Sequence, residues 1–233
     1  MKKKLVIITT VPISLKFFKG QIGILKESFD VELISSPGPE LDAIGISEGV
    51  TVHAVPMKRN ISIFSDIKSV FALARVLLKI KPDMVHGSTP KAGLLSMLVS
   101  FVLRIKVRVY YLHGLRYDGV SGKKKSLLRY LERVSCSCAT HVYAVSFGVR
   151  EHLENDKITS KPIRVIHNGS VNGLDLAYFD RTIITKSETT LNSSNFVYGF
   201  VGRLVKDKGI NELVSAFVRI NVIHPDTRLV LVG

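Results

Sequence analysis

Short runs of β-branched and other apolar residues alternate with longer helix-patterned segments along most of the chain, and this alternation limits the fold more than any other feature. It begins with KLVIITT, a strand over Lys4 to Thr10, continues with a helix from Phe17 to Phe29, and returns to a strand from Val31 to Ser35. Buried apolar strands separated by helices are the pattern of βαβ units, whose crossover connections make neighbouring strands parallel. Further strands are expected at Val50 to Val55, Asp83 to His86, Val107 to His113, His141 to Ser146 and Ile163 to His167, with helices at Asp66 to Lys79, Lys91 to Leu103 and Lys123 to Ser137. Residues 1–170 therefore form one Rossmann-like α/β domain.

After His167-Asn168-Gly169 the apolar pattern stops, and residues 180–195 are rich in Ser, Thr and Asn, so 171–195 is expected to be a linker. Periodicity resumes with a strand from Phe196 to Val201, a helix from Gly209 to Ile223 and a strand from Thr227 to Val232. Residues 196–233 thus supply one βαβ unit of a second Rossmann-like domain. An independent α/β domain takes about 100 residues or more, so the second domain is expected to be incomplete at Gly233.

The formal charge of +14 is uneven: residues 1–170 hold 26 Lys and Arg against 13 Asp and Glu, and residues 171–233 hold 7 against 6. A surplus confined to one domain implies an anionic neighbour, whether a phosphorylated ligand or an acidic membrane leaflet. Nucleic acid is disfavoured, because the cations are not interleaved with aromatics and no recognition motif is present. The two cysteines, Cys136 and Cys138, lie two apart in an expected helix, where they point to different sides and share neither a metal nor a disulfide. This fits a reducing, cytoplasmic compartment. The opening MKKKLVIITTVPIS has the charged-then-apolar order of a signal peptide, but its apolar run is one strand long and no small-residue cleavage site follows. The most apolar later segment, Ala92 to Leu103, falls short of the roughly 20 residues a membrane span needs.

The stretch GFVGRLVKDKGI, Gly199 to Ile210, carries the clearest chemistry. Glycines at the end of a strand let the backbone turn tightly and approach a ligand, and the carboxyl ends of strands are where open α/β sheets bind ligands. Arg203 offers a bidentate guanidinium fork and Lys208 a point charge, a pairing suited to a diphosphate, with the following helix N-terminus adding partial positive charge. Two ordinary surface cations on a solvated loop account for the same residues equally well. The absence of GxGxxG after the first strand argues against a nicotinamide dehydrogenase.

GFVGRLVKDKGINELVSAF resembles the donor-binding segment of glycosyltransferase family 4. Upstream, TPKAGLLSMLVSFVLRIKVRVYYLHGLRYDG, ATHVYAVSFGVREHL and IRVIHNG resemble the amino-terminal domain of the same family, in its branch that builds capsule, O-antigen and related lipid-linked glycans. The resemblance implies a GT-B architecture of two Rossmann-like domains facing a cleft. It also implies retaining transfer of a hexose or N-acetylhexosamine from a nucleoside diphosphate sugar to a lipid-diphosphate-linked glycan, without a bound metal or other cofactor. Arg203, Lys208 and Gly202 match the residues that hold the donor diphosphate, and His113, followed by Gly114, matches the histidine loop that faces the transferred sugar. The family's late glutamate pair has no counterpart before Gly233, so the 233-residue chain alone is expected to be inactive.

On the acceptor side, Lys16, Lys19 and Gln21 follow the first strand, beside Phe17 and Phe18, and Ser88, Thr89 and Lys91 form a strand-to-helix loop with Pro90 in the first helical turn. Helix capping alone explains the Ser and Thr as readily. The helical segments DIKSVFALARVLLKIK and GKKKSLLRYLER combine apolar faces with cations; the apolar faces are expected to pack on the sheet, and it is the charge surplus that suggests a surface resting peripherally on the inner face of an anionic cytoplasmic membrane. Two other readings stay open: a nucleotide-sugar epimerase of the same shape, and a non-catalytic module that binds membrane or a partner.

Overall fold

Seven parallel strands in the order β3-β2-β1-β4-β5-β6-β7 make the sheet of the first of two units in the computed structural model, Met1–Leu174 and Asp175–Gly233. The structure describes residues 2–60, 62–173, 175–180, 182 and 196–233. The elements of the first unit are β1 (Lys3–Ile8), α1 (Gln21–Ser28), β2 (Phe29–Ser35), α2 (Pro39–Glu48), β3 (Thr51–Ala54), α3 (Ile63–Ile80), β4 (Met84–Ser88), α4 (Pro90–Val102), β5 (Val107–Leu112), α5 (Gly122–Cys138), β6 (His141–Ala144), α6 (Phe147–Asn155) and β7 (Ile163–Arg164). The chain winds outward from β1 to β3, then returns past β1 to β4 and continues the other way. The strand order therefore reverses between β1 and β4, whose pairing places Leu5 opposite Met84 and Ile8 opposite Gly87. A crevice opens at such a point above the carboxyl ends of the strands.

Period-two alternation sends successive side chains of each strand into two cores. Val6, Ile8, Ile34, Val85, Tyr110 and Leu112 face α3, α4 and α5, where they meet Leu73, Leu77, Leu95 and Leu128. Leu5, Ile7, Val31 and Leu33 face the other way, onto Leu15, Phe18, Ile22, Leu41 and Ile44. Because β1 and β2 are covered on both faces, their apolar runs are nearly continuous, as the sequence pattern anticipated.

Helix α4 packs tightly on the sheet because its inner face is small. A Cβ placed on Gly87 would meet the Cα of Gly93 at 3.2 Å, and one on Gly93 would run into the ring of Tyr110. That ring is fully buried, and its hydroxyl donates to Glu132 Oε2 at 2.6 Å, so the clash has no easy relief.

Several elements differ from the sequence expectation. The first helix does not run from Phe17. A 3-10 turn spans Pro12–Phe18, Gly20 takes a left-handed φ of 77°, and only then does α1 begin at Gln21. Helices α2 and α6 were not foreseen. The first has almost no apolar stripe but starts on Pro39 and ends on a left-handed Gly49, while the second is capped by Ser146, whose Oγ accepts from the Val149 N–H at 3.3 Å. His86, expected at a strand end, sits inside β4, because the strand continues to Ser88. Most of the expected linker, residues 183–195, lies outside the described residues.

The second unit holds β8 (Phe196–Val201), α7 (Ile210–Ile223) and β9 (Thr227–Val232), with β8 and β9 parallel from the pair Phe196 and Thr227 to the pair Val201 and Val232. It is one βαβ unit. Among the described residues no helix is long and apolar enough to cross a membrane.

Replacing Gly93 by Ala is expected to lower stability by about 2 kcal/mol, the usual range for overpacking a core. Urea unfolding followed by circular dichroism checks this. A neutral substitution would show that α4 is not held against Tyr110.

Candidate functional site

The crevice above β1 and β4 is built by hydroxyls. Thr10, just past β1, donates its N–H to Thr89 Oγ1 at 3.1 Å, and the two hydroxyls lie 2.7 Å apart. Thr10 Oγ1 also accepts from the N–H of Ala92 at 3.0 Å. Thr10 therefore caps α4 from the neighbouring loop, whereas Thr89, at the N-cap position, makes no capping bond of its own. Thr89 holds a φ of 71°, unusual for a β-branched residue, and the threonine pair fixes it there. Simple capping by the local Ser and Thr is thus not what this loop does.

Ser88 ends β4 and is fully buried, and its Oγ is hydrogen-bonded to Nε2 of His113, the residue after β5. The imidazole of His113 lies between rings, with centroids 5.4 Å from Phe17 and 5.0 Å from Tyr111. Tyr111 in turn is 5.7 Å from His86 and stacks on Tyr143 at 6.2 Å, while Phe18 meets His86 edge-on at 5.3 Å. His113 and Gln21 line the same cavity of about 380 Å³ with His86, Tyr111 and Tyr143.

Burial holds both His113 and His86 down to about 4, the latter also opposed by its neighbour His113. Both rings are therefore neutral at pH 7. A neutral imidazole has one donor and one acceptor nitrogen, and His113 uses Nε2 toward Ser88. His113 Nδ1 and His86 Nε2 are buried without a partner among the described residues. They are polar positions that a hydroxylated ligand can satisfy.

The other sequence candidates of this unit fall in different places. Lys91 is buried and committed: its Nζ donates to the Asn60 carbonyl and pairs with Asp66 Oδ1 at 2.6 Å, so it ties α4 to α3. Lys16 and Lys19 are exposed on the first loop, where the Lys19 carbonyl accepts from Asn172 Nδ2 at 2.7 Å. Sequence reasoning missed Thr10, Tyr111 and Tyr143. The signal available was position: Thr10 lies two residues past β1 and the two tyrosines sit near the carboxyl ends of β5 and β6.

In the second unit the turn after β8 carries the remaining candidates. Gly202 takes φ of 156° and donates its N–H to the Val232 carbonyl at 2.8 Å. A 3-10 turn over Lys206–Lys208 and a left-handed Gly209, φ 69°, lead into α7. Arg203 and Lys208 are exposed on this one connection, at the carboxyl end of β8 and before the N-terminus of α7.

The model of Glycosyltransferase Family 4 matches residues 23–170, which hold most of this parallel sheet and the His113 loop. The chain belongs to that family. It is 34% identical over 235 residues to the capsular polysaccharide biosynthesis glycosyltransferase CapM of Staphylococcus aureus, covering 99% of this chain and 61% of the relative. It is 29% identical over 221 residues to the UDP-Gal:alpha-D-GlcNAc-diphosphoundecaprenol alpha-1,3-galactosyltransferase of Escherichia coli, covering 89% of this chain and 54% of that protein. The crystal structure of Anabaena HepE with UDP-glucose has the same fold, with a TM-score of 0.70 at 20% identity over 98% of this chain and 60% of HepE. The chain thus spans between half and two thirds of these proteins' lengths. The fold is the Rossmann-like amino-terminal domain of a GT-B protein together with one βαβ unit of a second Rossmann-like domain.

The two neutral histidines make stability depend on pH. Their native values near 4 lie below the unfolded value of about 6.5, so the unfolded chain binds more protons between these limits and stability falls as pH drops from 6.5 toward 4. Each contributes about 2 kcal/mol less at pH 5 than at pH 7. His86→Phe is expected to remove its share, so that the wild type loses that much relative to the variant in urea midpoints taken at the two pH values. Equal pH profiles would mean that His86 titrates normally.

Proposed function

We propose that the protein transfers a hexose or N-acetylhexosamine from a nucleoside diphosphate sugar, with retention, to a lipid-diphosphate-linked glycan in surface polysaccharide synthesis. The observation that carries this reading is the family match over residues 23–170. The capsular relative supports the pathway class, and the relative acting on a diphosphoundecaprenol acceptor supports a lipid-linked substrate.

In this reading Arg203 and Lys208 hold the donor diphosphate, with Gly202 allowing the backbone to come close. Their charge stabilises the leaving diphosphate in the transition state, where fixed cations act most strongly. His113, held neutral and oriented by Ser88, meets the hydroxyls of the transferred sugar through its unpartnered Nδ1. Neutrality matters, because a ring that is not charged can accept as well as donate. The first unit takes the acceptor: Lys16 and Lys19 offer cations and Gln21 an amide to its sugar residues. Thr89 holds the crevice loop, and Lys91 acts at a distance by fixing α4 to α3. No metal enters this scheme. The basic surplus of residues 1–170 supports a peripheral position at the inner face of the cytoplasmic membrane.

In the organism that makes the protein, chromosomal Arg203→Ala and His113→Ala are each expected to cut surface glycan by at least about a hundredfold, the scale of losing one transition-state donor. Immunoblotting should show unchanged protein levels. Wild-type glycan in both variants would overturn the reading.

A further inference from the structure

Helices α3, α4 and α5 all begin at the carboxyl edge of the sheet and run away from it, since each follows a parallel strand or its loop. The middle helix, α4, packs on the sheet where Gly93 meets Gly87 and Tyr110, with α3 and α5 on either side of it. Between them runs a groove of about 490 Å³ walled by Ile67, Val70 and Phe71 of α3, Leu94 of α4, and Leu128 and Leu131 of α5. Its outer lip is apolar where water would normally demand polar residues: Phe71 is 71% exposed, and Ile63 and Phe64 beside it are 72% and 85% exposed. The acids nearby do not offer charge to the groove. Asp66 is paired with Lys91, and Glu132 is turned inward to accept from Tyr110.

The mouth of this groove, at the carboxyl edge, is cationic. Arg116 lines it and donates through Nη1 to the Arg59 carbonyl at 2.9 Å, which leaves the rest of its guanidinium facing solvent. Lys58 and Arg59 in the loop before α3, and Lys123 and Lys124 in the first turn of α5, are exposed at the same end. The acid at this end outside the groove, Asp118, lies 3.3 Å from His152 Nδ1. An apolar trough with an anion-attracting mouth matches a molecule with a long hydrocarbon chain and a diphosphate head.

We infer that the groove between α3 and α5 seats the isoprenoid chain of the lipid-diphosphate acceptor, with the diphosphate at Arg116. The inference rests on the proposed lipid-linked acceptor and adds where its lipid goes. It assigns a role to the exposed apolar residues of α3, which the core does not use. It also brings the acceptor's head to the same sheet edge as Ser88 and His113, so that the glycan beyond it extends along the crevice.

The test is photolabelling of the 233-residue chain on phosphatidylcholine vesicles carrying a polyprenyl diphosphate with a benzophenone in its chain, against vesicles with phosphatidylglycerol at equal charge. Label is expected on peptides from α3, α4 and α5, displaced by unlabelled polyprenyl diphosphate and not by phosphatidylglycerol. Leu94→Trp, which fills the trough, and Arg116→Ala, which removes the head contact, should each lower labelling about tenfold, the loss of a few buried methylenes or of one charge-assisted contact. Melting followed by circular dichroism verifies that both variants fold, and labelled sites mapped in the wild type stand independently of either. Label confined to other surfaces, displacement by phosphatidylglycerol, or a dimer or captured helix shown by sedimentation to fill the groove would overturn the inference. Such a result, with surface glycan still dependent on His113 and Arg203, rejects the groove alone, whereas glycan independent of those residues rejects the transferase reading itself.

Discussion

The hydroxyl pair Thr10 and Thr89, 2.7 Å apart, spans the point where the sheet reverses its strand order, and the site depends on it. From Thr10 the link passes to the first turn of α4 through the Ala92 N–H. From Thr89 it fixes the backbone that directs Ser88 toward His113 and Lys91 toward Asp66. One small polar cluster therefore sets the orientation of an imidazole on one side and the spacing of two helices on the other. Hydroxyls suit this task, since each can donate and accept within a space that a longer side chain would overfill.

Around that cluster the environment sets the chemistry. His113 is neutral because it is buried among Phe17, Tyr111 and Ser88, where a charged ring would lose its hydration without gaining a carboxylate. The second unit uses the opposite design. Its β8–α7 turn keeps Arg203 and Lys208 exposed and charged on a backbone made tight by Gly202 and Gly209.

Much of the fold could be read from the sequence, because buried parallel strands are continuous apolar runs. β1, β2, β5, β8 and β9 were located within about two residues. The helices that were missed, α2 and α6, are short and lack a strong apolar stripe, so their ends rather than their faces define them. The Rossmann-like class and the family followed from ordered motifs. The hydrogen-bonded pairs did not, because they join residues far apart in the chain: Thr10 with Thr89, and Ser88 with His113. Lys91 was placed among open acceptor-side groups, and only the fold shows that its ammonium is spent on Asp66 and the Asn60 carbonyl. The apolar faces of α3 and α5 were visible as periodicity, but the groove between them depends on how deeply α4 sits, which is a matter of packing.

The most direct measurement is the product of the protein isolated from the organism that makes it, incubated with UDP-sugars and a polyprenyl-diphosphate glycan, with the new linkage defined by NMR. The account predicts one added sugar whose anomeric configuration matches the donor's, formed only when the acceptor is present. Conversion of the sugar nucleotide in the absence of acceptor, or a product with inverted configuration, would contradict it.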